Sequence, residues 1–326
     1  MSFSVGIVGL PNVGKSTLFK ALTKIKVDIA DYPFTTINPN IGVVAVPDEK
    51  LKKIAEVIKP EKVTPTIIEF VDIAGLVKGA HKGEGLGNQF LAQIRNCDAV
   101  VQVVDCFREK ANPEDEIETI KIELEMKDLE VEERKLSSST KLSRSESEGR
   151  KERKALFEPF AKARESKEKE NLLSKKPIVY VYNIKGDVSR TFLDTSMTRT
   201  RIVLEINLKM EEEISELSPA ERKELGLESQ LDQLILACYN ILELITFYTI
   251  TGGKETRAWT LPKNSKAPQA GAKVHSDFAE FIRAEVIPWQ KLITAGSWQK
   301  AREKGWLQTV GKDYIIQDGD VIEFKI

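Results

Sequence analysis

The sequence predicts an α/β fold built on a mostly parallel sheet, and three observations lead there. A run rich in Val and Ile at residues 3–10 ends at glycine and gives way, at 15–24, to helical spacing with Leu18, Phe19 and Leu22 on one side. Apolar runs bounded by turn residues follow at 41–46, 66–71, 99–104, 177–182 and 201–206, several without polar alternation, as in strands covered on both faces. Helical stretches such as 51–58 lie between them, which is the rhythm of an α/β domain.

Residues 114–172 interrupt that rhythm. A serine-rich stretch at 137–147 divides them; before it Ile122, Met126, Leu129 and Leu136 keep steps of three, four or seven, and after it Leu156, Phe160 and Ala163 do the same. An inserted antiparallel coiled-coil hairpin explains both halves, with a charged linker as the alternative. Residues 220–248 read as one buried helix with Leu225, Leu231, Leu234, Ile235, Cys238, Ile241 and Leu242 on its apolar face. A small mixed module should close the chain: strands at 246–250 and 257–260, a helix near 277–285, and strands at 314–316 and 321–326 joined by a hairpin turn at Asp318-Gly319-Asp320. The expected units are 1–113 with 173–245, the insertion 114–172, and 246–326.

The 326 residues are 41% hydrophobic and 30% charged, with a formal net charge of −1, which argues against a uniformly basic nucleic-acid binder. Local charge is dense at 109–176, and Lys254, Arg257, Lys263, Lys266 and Lys273 form a basic stretch, so both are candidate partner surfaces. No apolar run approaches the roughly 18 residues of a membrane span, and the start lacks a basic, cleavable leader pattern. The three cysteines, Cys97, Cys106 and Cys238, cannot all pair within the chain and lack metal-ligand spacing, so reduced thiols and a cytoplasmic location are expected.

Chemistry concentrates at Gly9, Gly14, Lys15 and Ser16, which satisfy G-x-x-x-x-G-K-[ST] between an expected strand and helix. The glycines let the main chain of Asn12, Val13, Gly14, Lys15, Ser16 and Thr17 close around phosphates at a helix N-terminus. Lys15 should reach the β- and γ-phosphates, and the Ser16 hydroxyl should ligate Mg²⁺. Asp72-Ile73-Ala74-Gly75 ends a strand in D-x-x-G: Asp72 can hold Mg²⁺ through water, and the Gly75 N–H can meet the γ-phosphate. Thr35 and Thr36 lie between these motifs, and Thr36 is the expected second hydroxyl ligand of the metal. P-loop, switch I and switch II are thereby accounted for.

The stretches GLPNVGKST, DYPFTTINPNIGVV and FVDIAGLVKGAHKGEGLGNQFL resemble the YchF subfamily of the Obg-related translation-factor GTPases. RAWTLPKNSKAPQAGAKVHSDFAEFIRAEVI and GKDYIIQDGDVIEF resemble that family's terminal TGS domain, a ubiquitin-like β-grasp module. The resemblance implies a P-loop NTPase G-domain with an inserted α-helical coiled-coil hairpin and a C-terminal TGS domain, and an ATPase that associates with the ribosome or its large subunit. Leu76 stands where many GTPases keep a water-orienting glutamine. The loop after Cys106-Phe107 is short and lacks the substitute histidine the family often carries there. Of the two histidines, His81 and His275, only His81 is near the γ-phosphate by sequence; ordering water and simply facing solvent are its two readings. Asn12 is expected either to help bind a K⁺ that offsets phosphate charge, as in related enzymes, or to shape the turn.

Guanine recognition normally uses N-K-x-D, but here the residues are Asn183-Ile184-Lys185-Gly186, with Asp187 one place late. ATP is therefore expected over GTP, with Asn183 and Ile184 touching the base or bracing the P-loop, and Leu208-Lys209 where the family has its last base-binding loop. A GTP-selective enzyme and a nucleotide-gated binder of negligible turnover are the alternatives. Replacing Lys15 with alanine should abolish most nucleotide binding; near-normal affinity by calorimetry would sink the P-loop assignment.

Overall fold

The computed structural model describes residues 3–24, 40–73, 86–142, 172–186, 190–194, 201–275, 278 and 283–325. The first sheet contains β1 (Phe3–Val8), β2 (Ile41–Ala45), β4 (Ile67–Asp72), β5 (Ala99–Asp105), β6 (Ile178–Asn183), β7 (Arg190–Asp194) and β8 (Arg201–Ile206), in the order β2-β4-β1-β5-β6-β8-β7. β4, β1, β5, β6 and β8 run parallel, while β2 and β7 close the edges antiparallel. Every residue of central β5 is buried, which is why its apolar run shows no alternation. Helices α1 (Lys15–Thr23) and α7 (Leu231–Ile241) pack around Val5, Ile7, Val101 and Val181 on one face. On the other face α3 (Leu86–Asn96) and the root of α4 (Pro113–Leu142) pack around Val8, Ile73 and Val100.

The second sheet takes β3 (Lys62–Thr64) from early in the chain and adds β9 (Leu244–Thr251), β10 (Glu255–Pro262), β11 (Arg283–Pro288), β12 (Gln308–Val310) and β13 (Asp320–Lys325), in the order β12-β11-β13-β9-β10-β3. Residues 49–64, assigned from sequence to the first unit, thus supply α2 (Glu49–Ile58) and β3 to the second. Leu51 and Ile54 of α2 are buried with Tyr248, Ile287 and Leu292, each such side chain worth roughly 1.5–3 kcal/mol of transfer free energy. The Asp48 carboxylate accepts the Leu51 N–H at 2.9 Å as N-cap and the Tyr248 hydroxyl at 3.0 and 2.8 Å. One side chain therefore starts α2 and ties it to β9.

Helix α4 has 30 residues, about 45 Å of length. It opens with Pro113 and three acids, Glu114, Asp115 and Glu116, which suits the positive end of the helix dipole. Ile117, Ile120 and Leu124 bury its root, whereas Ile122, Met126 and Leu129 lie on another side and are exposed. The returning chain is pinned at Asp128, whose carboxylate accepts the N–H groups of Leu173 (3.0 Å) and Ser174 (2.9 Å) at a 3₁₀ turn. Leu156, Phe160 and Ala163, expected to form the second half of the hairpin, fall outside the described residues.

Three expectations are corrected. The single helix at 220–248 is instead α6 (Pro219–Glu224), α7 and β9, with α5 (Leu208–Glu216) before them; left-handed residues at Gly226 (φ 66) and Glu243 (φ 50) break the run. Of the helix expected near 277–285, residues 277 and 279–282 fall outside the described residues and Arg283 onward is β11; α8 (Ala267–Val274), with Pro268 in its first turn, precedes it. Finally, 314–316 forms only an isolated bridge from Ile315 to Lys266, and β13 pairs with β11 and β9. Gly319 (φ 94) is a junction: its N–H bonds Thr246 and its carbonyl accepts from Trp289. Trp289 begins α9 (Trp289–Ala295), followed by α10 (Trp298–Glu303).

The three cysteines are free, and burial pushes the Cys97 thiol up to about 11 and the Cys106 thiol to about 12, so both are protonated at neutral pH. Among the described residues no helix is long and apolar enough to cross a membrane. Tyr248→Phe removes the hydroxyl bonded to the Asp48 carboxylate and should cost about 1.5–3 kcal/mol in urea unfolding. An unchanged unfolding midpoint would remove this link from the account of how α2 is held.

Candidate nucleotide site

The loop between β1 and α1 is shaped by close approach of main chain at Gly9 and of a side chain at Gly14. A Cβ at Gly9 would stand 2.6 Å from the Val103 carbonyl oxygen, and one at Gly14 would stand 2.7 Å from Asn183 Nδ2. Gly14 (φ 109) and Asn12 (φ 63) are left-handed, a conformation that glycine and asparagine adopt most readily. Helix α1 then starts at Lys15 without a side-chain cap and without an acid in its first turn. Its first N–H groups and the positive end of its dipole therefore face the loop, as anion binding requires.

Lys15 is 8% exposed, and its amine donates to the Leu10 carbonyl at 2.8 Å. Burial pulls its pKa below the ordinary lysine range, against the attraction of Asp72 and Glu116. Asp72 ends β4, one strand from the loop, and burial lifts its pKa above the usual carboxylate range, against the attraction of Lys15 and a hydrogen bond from Ser16. Both charged forms are thus strained by desolvation, and a ligand carrying both negative phosphate and positive metal would relieve each. Among the described residues no three His, Cys, Asp or Glu side chains gather as a metal cage. Ser16 and Asp72 carry hard oxygen atoms of the kind that Mg²⁺ takes, and the rest of a metal's shell would have to come from ligand oxygens and water.

At the ends of β6 and β8, buried Asn183 donates through Nδ2 to the Val13 carbonyl at 2.9 Å and accepts the Leu208 N–H at 3.2 Å. It braces the P-loop. Val13 and Leu208 are buried, so Leu208 enters the site as packing, while Lys209 is exposed beside it. The Ile184 N–H bonds the Ile206 carbonyl, and the Gly186 carbonyl accepts from the Asn207 amide at 3.1 Å, which holds the 183–186 turn against the start of α5. No side chain projects at Gly186 (φ 116), where the base-reading acid would stand. Thr17 follows on α1 in the first turn. Thr35, Thr36, Gly75, Leu76, His81 and Asp187 fall outside the described residues.

Two residues escape a reading of the sequence alone. Arg108 donates through Nη2 to the Asn12 carbonyl at 2.7 Å, and its Nε lies 3.1 Å from the Asp105 carboxylate. Glu116, in the first turn of α4, accepts the Asp105 N–H at 3.0 Å; burial raises its pKa against that hydrogen bond. In sequence the loop after β5 stands out for the histidine it lacks, and attention to that one residue type hides the arginine within it.

Residues 4–136 match a family model described as a 50S ribosome-binding GTPase, and residues 244–326 match the YchF-GTPase C-terminal model, described as a protein of unknown function. A Bacillus subtilis protein named ribosome-binding ATPase YchF is 42% identical over 369 aligned positions, covering 100% of this chain and 99% of its own length. The chain belongs to the YchF family. A Mycoplasma genitalium YchF protein, also named a ribosome-binding ATPase, is 41% identical with 99% of this chain and 98% of its own covered. The solved structure described as Schizosaccharomyces pombe YchF GTPase superposes with a TM-score of 0.78 at 31% identity, covering 99% of this chain and 98% of that one. The P-loop α/β architecture is thus that of YchF proteins. The 369 aligned positions exceed the 326 residues here, so the Bacillus YchF has stretches that this chain lacks.

The raised Asp72 pKa has a measurable sign. As pH rises past its ordinary value of 3.8 the unfolded carboxyl ionises before the folded one, so ionisation lowers stability until pH passes the folded value. Asparagine does not titrate. Without added nucleotide, the stability of Asp72→Asn relative to the unaltered protein should therefore rise from about pH 3.5 to about pH 7. A flat or falling difference in paired denaturant titrations would contradict the burial argument.

Proposed function

We propose that this protein is a Mg²⁺-dependent nucleoside triphosphate hydrolase that prefers ATP to GTP and acts as a conformational switch on the ribosome or its large subunit. The observation that carries the reading is buried Lys15 and half-buried Asp72 at the uncapped start of α1: a cation and a carboxylate, each strained by desolvation, beside N–H groups that can bind phosphate. Main-chain N–H groups from Asn12 to Thr17 would bind the phosphates and Lys15 would reach the β- and γ-groups; Ser16, Thr36 and Asp72 would hold the metal, Asp72 through water, with the Gly75 N–H at the γ-phosphate. Bound Mg²⁺ supplies charge neutralisation at the transferring phosphoryl group. Leu76 cannot orient the attacking water, and His81 is the imidazole nearest switch II in sequence.

Base choice follows from what residues 183–186 and 208–209 offer. Ile184, Leu208 and Lys209 flank the base, and Asn183 positions the loop. Guanine N1–H and its 2-amino group find no carboxylate at Gly186, removing discrimination on the order of 1–3 kcal/mol. The names of the bacterial relatives, ribosome-binding ATPases, support ATP and the ribosome as partners. The fission-yeast relative is named a GTPase, so both nucleotides belong in the test. The units proposed are the G-domain (1–113 with 173–245), the helical insertion (114–172) and a TGS-like β-grasp module (246–326) to which 49–64 are added. Free thiols and a ribosomal partner fit the cytoplasm.

Phosphate release from ATP and GTP, with Mg²⁺ and K⁺, alone and with ribosomes, should give turnover with ATP favoured, and competition calorimetry should give tighter ATP than GTP. Absence of release under all conditions would leave a nucleotide-gated binding protein, and tighter GTP binding would restore the GTPase reading.

A further inference from the structure

We infer that Arg108 supplies, from within the chain, positive charge at the P-loop rim that offsets phosphate charge during hydrolysis. The inference rests on the hydrolase reading above. Its basis is the 2.7 Å bond from Nη2 to the Asn12 carbonyl, which tethers the guanidinium to the main chain that encloses the phosphates. The other anchor is Asp105, 1% exposed at the end of β5, whose carboxylate also accepts the N–H groups of Phe107 (3.1 Å) and Arg108 (3.3 Å). Asp105 thus fixes the turn that aims Arg108 back across the loop, and the Phe107 ring lies 5.2 Å from the guanidinium carbon.

A guanidinium has five N–H donors, and these two contacts engage Nε and one hydrogen of Nη2. The side chain is half exposed, so its outer donors can turn to phosphate oxygens while Asp105 holds its base. Arginine supplied in cis at such a position is a known way to stabilise phosphoryl transfer, because charge spreads onto the transferred group and the leaving oxygen. In the step concerned, the water oxygen bonds the γ-phosphorus as the bond to the β–γ bridging oxygen breaks. The bridging oxygen keeps the electron pair as ADP leaves, and one water proton is released to solvent. Arg108 neither takes nor gives a proton; it offsets the charge that builds up.

The test compares the unaltered protein with Arg108→Ala and Arg108→Lys. Arg108→Ala should bind ATP within about threefold of normal and lose on the order of tenfold or more in kcat, with Arg108→Lys between the two. Calorimetry with ADP and aluminium fluoride gives a second readout: the unaltered protein should bind this phosphoryl mimic more tightly than ADP alone, and Arg108→Ala should lose that increment while keeping ADP affinity. Equal losses of ADP and ADP–aluminium fluoride affinity in Arg108→Ala would overturn the proposal, as would unchanged kcat and mimic affinity in that variant. If the unaltered protein releases no phosphate, the hydrolase reading fails, and the mimic comparison alone decides whether Arg108 meets the transferring group.

Discussion

Asn183 joins three segments that are far apart in sequence: its amide donates to the Val13 carbonyl of the P-loop, its oxygen accepts the Leu208 N–H at the start of α5, and its own carbonyl receives the Cys106 N–H after β5. The link is buried, so removing the side chain would leave a carbonyl and an N–H without partners at about 1–3 kcal/mol each. Gly14 must be glycine because Asn183 lies against it. The phosphate loop, the base-side turn and the Arg108 loop are therefore positioned by one residue. In its usual setting this asparagine is read as a base contact, and here its structural duty is equally plain. Loss of the acid at Gly186 can weaken base recognition without loosening the phosphate site.

Around that brace the charges are arranged for a ligand. Lys15 and Asp72 are each pushed toward neutrality by burial, and Glu116 adds a third desolvated group from the root of α4. Glu116 also accepts the N–H of Asp105, the residue that aims Arg108. The inserted helix thus begins within the electrostatic field of the P-loop lysine. Any ligand that changes the charge balance at Lys15 changes the environment of the first turn of α4, whose far end extends from the sheet on a helix about 45 Å long.

The P-loop is legible in sequence because its chemistry is local: main-chain N–H groups, two glycines and a lysine within nine residues. Strands β1, β5 and β6 are legible because burial on both faces leaves continuous apolar runs. The transfer of α2 and β3 to the second sheet is not. The spacing of Leu51 and Ile54 shows that α2 buries one face, but the face that receives it comes from Tyr248, Ile287 and Leu292. The single helix expected at 220–248 fails for a similar reason: beyond the break at Gly226, the apolar residues of β9 continue the helical spacing of α7, and that second break comes from Glu243 in a left-handed conformation. The Arg108 contact with Asn12 spans 96 positions, so no local pattern could announce it.

The route between β2 and β4 has a mechanical meaning. The chain leaves the first sheet after β2, gives α2 and β3 to the second, and returns as β4, which carries Asp72 at its end. β3 pairs parallel with β10 in the register Lys62–Glu255, Val63–Thr256 and Thr64–Arg257, and the Thr64 hydroxyl donates to Glu255 at 2.6 Å. At the other end of the excursion Asp48 receives the Tyr248 hydroxyl. The C-terminal sheet is therefore hydrogen-bonded to the segment that leads directly into the strand ending at Asp72. A displacement of β4 along its axis must either be carried into β3 and the second sheet or be absorbed by the two residues between Thr64 and Ile67. So short a connection gives the metal-side strand little freedom to move alone. The C-terminal unit is thus attached to the P-loop sheet through β4, and the inserted helix through β5: two separate strands by which two peripheral units reach one site.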